Sequence, residues 1–142
     1  MHKLLKSLPA VILLVILGWF AQPAIATNLT GLKIMKEMAQ EAVPYESAIA
    51  SSKPTLLEFY ADWCSVCQSM APTMADLKHQ YGDDLNFVML NVDDAQWHQQ
   101  MDQYDVTGVP QFSLLNSHQS LVKTLVGRIP GSILTEEFKQ LS

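Results

Sequence analysis

The sequence predicts an α/β fold, a mixed four-stranded sheet with helices on both faces, and three observations carry that prediction. Two short apolar runs, Thr55–Ala61 and Asn86–Val92, read as strands covered on both faces. A helical stretch, Cys64–Tyr81, lies between them, and a strand–helix–strand crossover makes such strands parallel. Two further strands, Gln111–Leu115 and Leu121–Val126, flank the polar turn Asn116–Ser120 and form an antiparallel hairpin.

The elements follow in order. Residues 1–26 read as an address. His2, Lys3 and Lys6 form a basic start, Leu8–Phe20 is uncharged and apolar, and Ala24-Ile25-Ala26 has the small-x-small form of a cleavage site. The run Leu8–Phe20 has the length of a signal peptide core. Counted on to Ala26 it is long enough to cross a bilayer, although Pro9, Gln22 and Pro23 weaken it. The residues leave cleavage and retention both open. In either case the basic end stays inside and the domain crosses.

Residues 27–44 read as a helical connector. Leu32, Met35, Met38, Ala39 and Ala42 make one stripe of a helix over Gly31–Val43, and Pro44 ends it. The domain proper is 45–142. It opens with a short helix over Tyr45–Ser52 and the first strand. Pro72 is expected to kink the long helix. Gly82-Asp83-Asp84 makes a turn, and Asp93-Asp94 caps a helix reaching about Tyr104. Thr107–Pro110 is a loop, Gly127 stops the last strand, and Ser132–Leu141 closes the chain as a helix.

The 142 residues carry a net charge of −5 and no Lys/Arg cluster after the hydrophobic start, which argues against nucleic-acid binding. Cys64 and Cys67 are the two cysteines of the whole sequence. A framework of structural disulfides needs more. Zinc needs further ligands, and His2, His79, His98 and His118 stand singly, so no metal and no organic cofactor is expected. The helically spaced pairs Met35/Met38 and Met70/Met74 suit core packing, with Cu(I) ligation as the remote alternative.

A Cys-x-x-Cys pair where a buried strand passes into a helix is a redox arrangement. The unpaired N–H groups and the positive dipole end of the helix favour a thiolate at Cys64, the attacking sulfur. Cys67, one turn on and on the same face, resolves the mixed disulfide intramolecularly. Glu58 interrupts an otherwise apolar strand six residues before Cys64. Buried, it would stay protonated and serve Cys67 in proton transfer; at a strand edge, it would simply reach water. Pro110 before a strand reads either as a cis bond or, as the residues alone favour, as an edge-breaking proline. Trp63 precedes Cys64 and is expected to shield the disulfide.

The stretches Leu57-Glu58-Phe59-Tyr60-Ala61-Asp62-Trp63-Cys64-Ser65-Val66-Cys67, Met70-Ala71-Pro72, Leu90-Asn91-Val92-Asp93, Val106-Thr107-Gly108-Val109-Pro110 and Val126-Gly127 resemble the thioredoxin family over about Tyr45–Ser142. The resemblance implies a nucleophile at Cys64, a resolving cysteine at Cys67 and a buried acid at Glu58. It also implies a cis-proline at Pro110, with Val109 offering backbone hydrogen bonds to a substrate peptide. Trp63 and Gly127 then line the substrate groove, and Pro72 is the helix-kinking proline. Ser65-Val66 replaces the Gly-Pro of ordinary cytosolic thioredoxins and retunes the redox potential. Met89 stands where many family members have a lysine near the acid, which favours a protonated Glu58. The usual first strand is missing, and the helical stretch Gly31–Val43 holds its place.

Ala42-Val43-Pro44-Tyr45-Glu46, Cys67-Gln68-Ser69-Met70-Ala71-Pro72 and Val109-Pro110-Gln111-Phe112, with the hydrophobic start, narrow the resemblance to the membrane-anchored thioredoxin-like A proteins of cyanobacteria and their chloroplast counterpart. The counterpart faces the thylakoid lumen and is needed for assembly of the cytochrome bf complex. That resemblance implies a retained anchor in a thylakoid or plasma membrane and a domain on the lumenal or periplasmic side. It also implies electrons from a membrane thiol transporter of the CcdA type, and disulfide-bearing clients such as apocytochromes. Three alternatives remain at this point: a secreted periplasmic protein after cleavage, a disulfide oxidase or isomerase, and a non-catalytic client-binding assembly factor.

Overall fold

The structure, a computed structural model, describes residues 23–141. The basic start and the apolar run Leu8–Phe20 lie outside the described residues. Among those described, no helix is long and apolar enough to cross a membrane.

The chain runs α1 (Pro23–Gln40), α2 (Tyr45–Ile49), β1 (Thr55–Tyr60), α3 (Ser65–Tyr81), β2 (Asn86–Asn91), a 3₁₀ turn (Ala95–Trp97), α4 (His98–Gln103), β3 (Gln111–Leu115), β4 (Leu121–Val126) and α5 (Gly131–Lys139). The sheet order is β2-β1-β3-β4. β1 and β2 are parallel, and the β1–β3 and β3–β4 pairs are antiparallel. The expected mixed four-stranded α/β sheet is the one observed.

Central β1 is buried at every position, as a largely apolar strand with a neighbour on each side is, and that includes Glu58. Its alternate residues feed two separate cores. Leu56 joins Met70, Met74, Phe112, Leu134 and Phe138 under α3 and α5. Leu57 and Phe59 join Ala48, Leu90, Tyr104 and Leu115 on the side of α2 and α4. β4 departs from the buried pattern and exposes Leu121, Val122 and Val126, whereas β2, the other edge strand, stays mostly buried.

α1 is already helical at Pro23, the first described residue, earlier than the periodicity from Gly31 indicated. Gly31, taken from sequence as a helix start, lies in the helix interior and is a contact instead. A Cβ on Gly31 would stand 2.2 Å from the Gln68 carbonyl oxygen in α3. That carbonyl has no helical donor, because its partner four residues on is Pro72. α3 runs through Pro72, and α1 packs where the proline frees the backbone.

From there α1 descends alongside α3 in the same direction. Met35 packs with Cys64, Cys67 and Ala71, Met38 with Met70 and Met74, and Glu41 pairs with Lys78 at 2.9 Å. Met35, Met38, Met70 and Met74 are all buried in these cores. The Val43 N–H, just past α1, donates to Phe87 O on the outer edge of β2 at 2.9 Å.

Gly31→Ala will force the two helices apart and destabilise the protein by about 1–3 kcal/mol, the usual cost of overpacking. Urea unfolding followed by circular dichroism checks this, and an unchanged midpoint contradicts the contact.

Candidate active site

Cys64 is the N-cap of α3, in extended backbone conformation, and its Sγ accepts the Cys67 N–H at 3.1 Å. The sulfur therefore takes the place of a capping oxygen and sits at the positive end of a seventeen-residue helix. Cys64 and Cys67 are joined as a disulfide. Cys67 is fully enclosed, whereas Cys64 is 5% exposed, so any partner sulfur must approach Cys64. Ser65 is exposed between them and Val66 half-buried.

Glu58 lies on the α3 side of β1, facing Met89 on β2 and Phe112 on β3. Because β1 has a strand on each side, the alternative of an edge glutamate reaching water is excluded. The residue is 3% exposed. Burial pushes its carboxyl up to about 8. Met89 supplies no cation to oppose that rise, so at neutral pH the group is mostly a protonated acid.

The Val109–Pro110 bond is cis, which corrects the reading of Pro110 as a simple edge-breaking proline. Hydrophobic periodicity says nothing of this peptide bond, whereas tertiary partners hold the loop around it. The Gly127 N–H donates to Pro110 O at 2.8 Å. Buried Gln111 donates to Tyr104 O at 2.9 Å and accepts the Thr107 N–H at 3.4 Å. Val109 packs on the cluster that contains both cysteines. Gly127 has φ +89°, a conformation that favours glycine.

Trp63 is 67% exposed, and its indole N–H donates to Asp93 at 2.9 Å. With Val92, Met101, Val106, Thr107, Gly108 and Val109 it lines an open, mostly apolar cavity of about 370 Å³. The fold thus brings Cys64, Cys67, Trp63, Val109, Pro110 and Gly127 to one end of the sheet, with Glu58 in the core below.

The sequence reading missed the groups that hold this end in place. Lys36 of α1 pairs with Asp62 at 3.1 Å, and the Gln68 side chain donates to Asp62 O at 2.6 Å. Together they fix the turn between β1 and Cys64. Local pattern gives no signal for such contacts, since Lys36 and Asp62 each look like ordinary surface charges. Among the described residues no three His, Cys, Asp or Glu side chains converge as a metal site would require.

Comparison with known proteins agrees with this geometry. The thioredoxin family matches residues 35–140, and the chain belongs to that family. It is 44% identical over 129 residues to the thiol:disulfide interchange protein TxlA of Synechococcus elongatus, covering 91% of this chain and 64% of that protein. It is 43% identical over 108 residues to the chloroplastic thioredoxin-like protein HCF164 of Arabidopsis thaliana, covering 76% of this chain and 41% of that protein. The chain thus spans less than two thirds of the length of these relatives. Among solved structures, oxidized mitochondrial thioredoxin 3 of Saccharomyces cerevisiae superposes with a TM-score of 0.57 at 25% identity, covering 75% of this chain and 90% of that one.

The raised Glu58 carboxyl makes stability depend on pH. Between the ordinary value of 4.5 and about 8, the folded state holds a proton that the unfolded state has released. Stability therefore falls as pH rises through this window and levels off above it. Glu58→Gln removes the ionisation cost and will be more stable than the parent at pH 8, by on the order of 3 kcal/mol. It will differ little at pH 4.5. Denaturant midpoints at the two pH values decide this, and equal gains at both would contradict burial as the cause.

Proposed function

We propose that this protein is a membrane-associated protein-disulfide reductase acting on the lumenal or periplasmic side, with a role in cytochrome assembly. The observation that carries the redox reading is the Cys64–Cys67 pair at the start of α3, with one sulfur reachable and the other enclosed. The TxlA and HCF164 likenesses and the hydrophobic start support the location. Clients are disulfide-bearing proteins such as apocytochromes, and a membrane thiol transporter of the CcdA type donates the electrons.

In the reduced state the Cys64 thiolate attacks one sulfur of a client disulfide, and the other client sulfur leaves as a thiolate. The client chain lies along Val109 and Pro110, beside Trp63 and Gly127, so that its sulfur meets Cys64. Cys67 then gives up its proton and attacks Cys64 Sγ. The mixed disulfide breaks, and the second client thiolate leaves. The client gains two electrons and the Cys64–Cys67 disulfide forms. Glu58, with its value near 8, is poised to exchange the proton that Cys67 releases. Ser65 and Val66 set the potential without any cation between the sulfurs, which favours a reductant over a strong oxidant.

Cys67→Ser will trap clients as mixed disulfides on Cys64, whereas Cys64→Ser will trap none. The double Cys64→Ser/Cys67→Ser variant will lose client reduction altogether. Non-reducing gels and client thiol labelling read these outcomes. Full client assembly by the double variant would turn the reading towards a holdase.

A further inference from the structure

The segment between α4 and β3 supplies one wall of the cavity beside Trp63. Met101, Val106, Thr107, Gly108 and Val109 come from that side, and Trp63 and Val92 from the other. Backbone leaving a helix carries carbonyl and N–H groups without helical partners. Here it also turns sharply. The Val106 N–H donates back to Met101 O at 2.9 Å, and Asp105 takes φ +47°, a left-handed conformation that glycine usually fills at a helix end. A side chain makes that conformation unfavourable, so it persists where the surroundings fix it.

Gln111 does the fixing. It is the first residue of β3, wholly buried between Phe59 of β1 and Val126 of β4. Its amide nitrogen donates to Tyr104 O at 2.9 Å, and its amide oxygen accepts the Thr107 N–H at 3.4 Å. The nitrogen also reaches Ser113 Oγ at 3.5 Å. One side chain therefore bridges both arms of the reversal: the carbonyl just before Asp105 and the N–H just after Val106. These bonds go to the cavity wall and not to the cysteines. An apolar side chain of similar length would fill the same space but leave both backbone groups without their partner, and the segment would shift to find water for them.

We propose that Gln111 is a specificity-determining positioning residue: by fixing Tyr104–Val109 it shapes the cavity that holds an apolar client side chain next to the disulfide being reduced. This rests on the reductase reading above. The cavity, of about 370 Å³, is lined mainly by Trp63, Val92, Met101, Val106 and Val109. An aliphatic or aromatic side chain gains by leaving water there, and a hydroxyl finds little to bond. The wall at Trp63 is set separately, by the indole bond to Asp93. Only the wall opposite depends on Gln111. A client sulfur can meet Cys64 whether or not the neighbouring residue is well seated. Gln111 thus acts on how tightly apolar-flanked clients bind, and not on the exchange between sulfurs.

The test uses the full chain in detergent, reduced beforehand and freed of reductant. Its substrates are two peptides with an internal disulfide, alike except for Leu or Ser beside one cysteine. Labelling the released peptide thiols in a single turnover gives a half-saturating concentration and a limiting rate for each. The parent will favour the Leu peptide about tenfold, through the half-saturating concentration. In Gln111→Met that preference will shrink to about twofold or less, again through the half-saturating concentration. A variant that slows both peptides alike and keeps the preference overturns the role of Gln111. A parent without preference overturns the cavity as the selecting element. A parent that reduces neither peptide overturns the reductase reading, and the proposal with it. Should Gln111→Met fail to fold, amide hydrogen exchange in the parent decides. The Thr107 N–H will exchange about tenfold or more slowly than in an unfolded chain, and exchange at the unfolded rate overturns the proposal.

Discussion

The start of α3 is the constraint on which the rest of the active site depends. A helix leaves its first N–H groups without partners, and here the Cys64 sulfur accepts one of them. The same local geometry places Cys67 one turn on, within bonding reach and out of solvent. The helix must therefore begin at one residue and no other. Asp62 holds that start, through the Gln68 side chain on its carbonyl and Lys36 on its carboxylate. Met35 fills the space behind the sulfurs.

α1 links the amino-terminal region to that constraint. It buries its apolar stripe against α3 rather than extending the sheet. Two residues with unusual backbone properties make the contact. Pro72 leaves the Gln68 carbonyl free, and Gly31 lets α1 approach it. A stretch that reads as a connector is thus part of the active-site support, so a change in α1 reaches the cysteines through Met35 and Lys36.

Much of this was legible in the sequence, because the strands and crossover helix follow from local pattern. Gln111–Leu115 and Leu121–Val126 were bounded correctly by their turn residues. Cys64 and Cys67 were legible because their spacing matches one helical turn. Glu58 was ambiguous, since a charged residue in an apolar strand is settled only by whether that strand has neighbours on both sides. Pro110 was misread from the residues alone, and the family resemblance supplied what periodicity lacked. The Gly31–Gln68, Lys36–Asp62 and Trp63–Asp93 contacts join residues far apart in the chain, and nothing local marks them. The exposure of β4 was likewise hidden, because a strand's place in the sheet is set by pairing with residues far along the chain.

The central claim is that this dithiol gives electrons to disulfides rather than taking them. The midpoint potential of the Cys64–Cys67 couple, titrated against a glutathione or dithiothreitol buffer, tests it most directly. The account predicts a value near that of thioredoxin, about −270 mV. A value near the strong periplasmic oxidants, about −120 mV, would contradict it and make the protein a donor of disulfides.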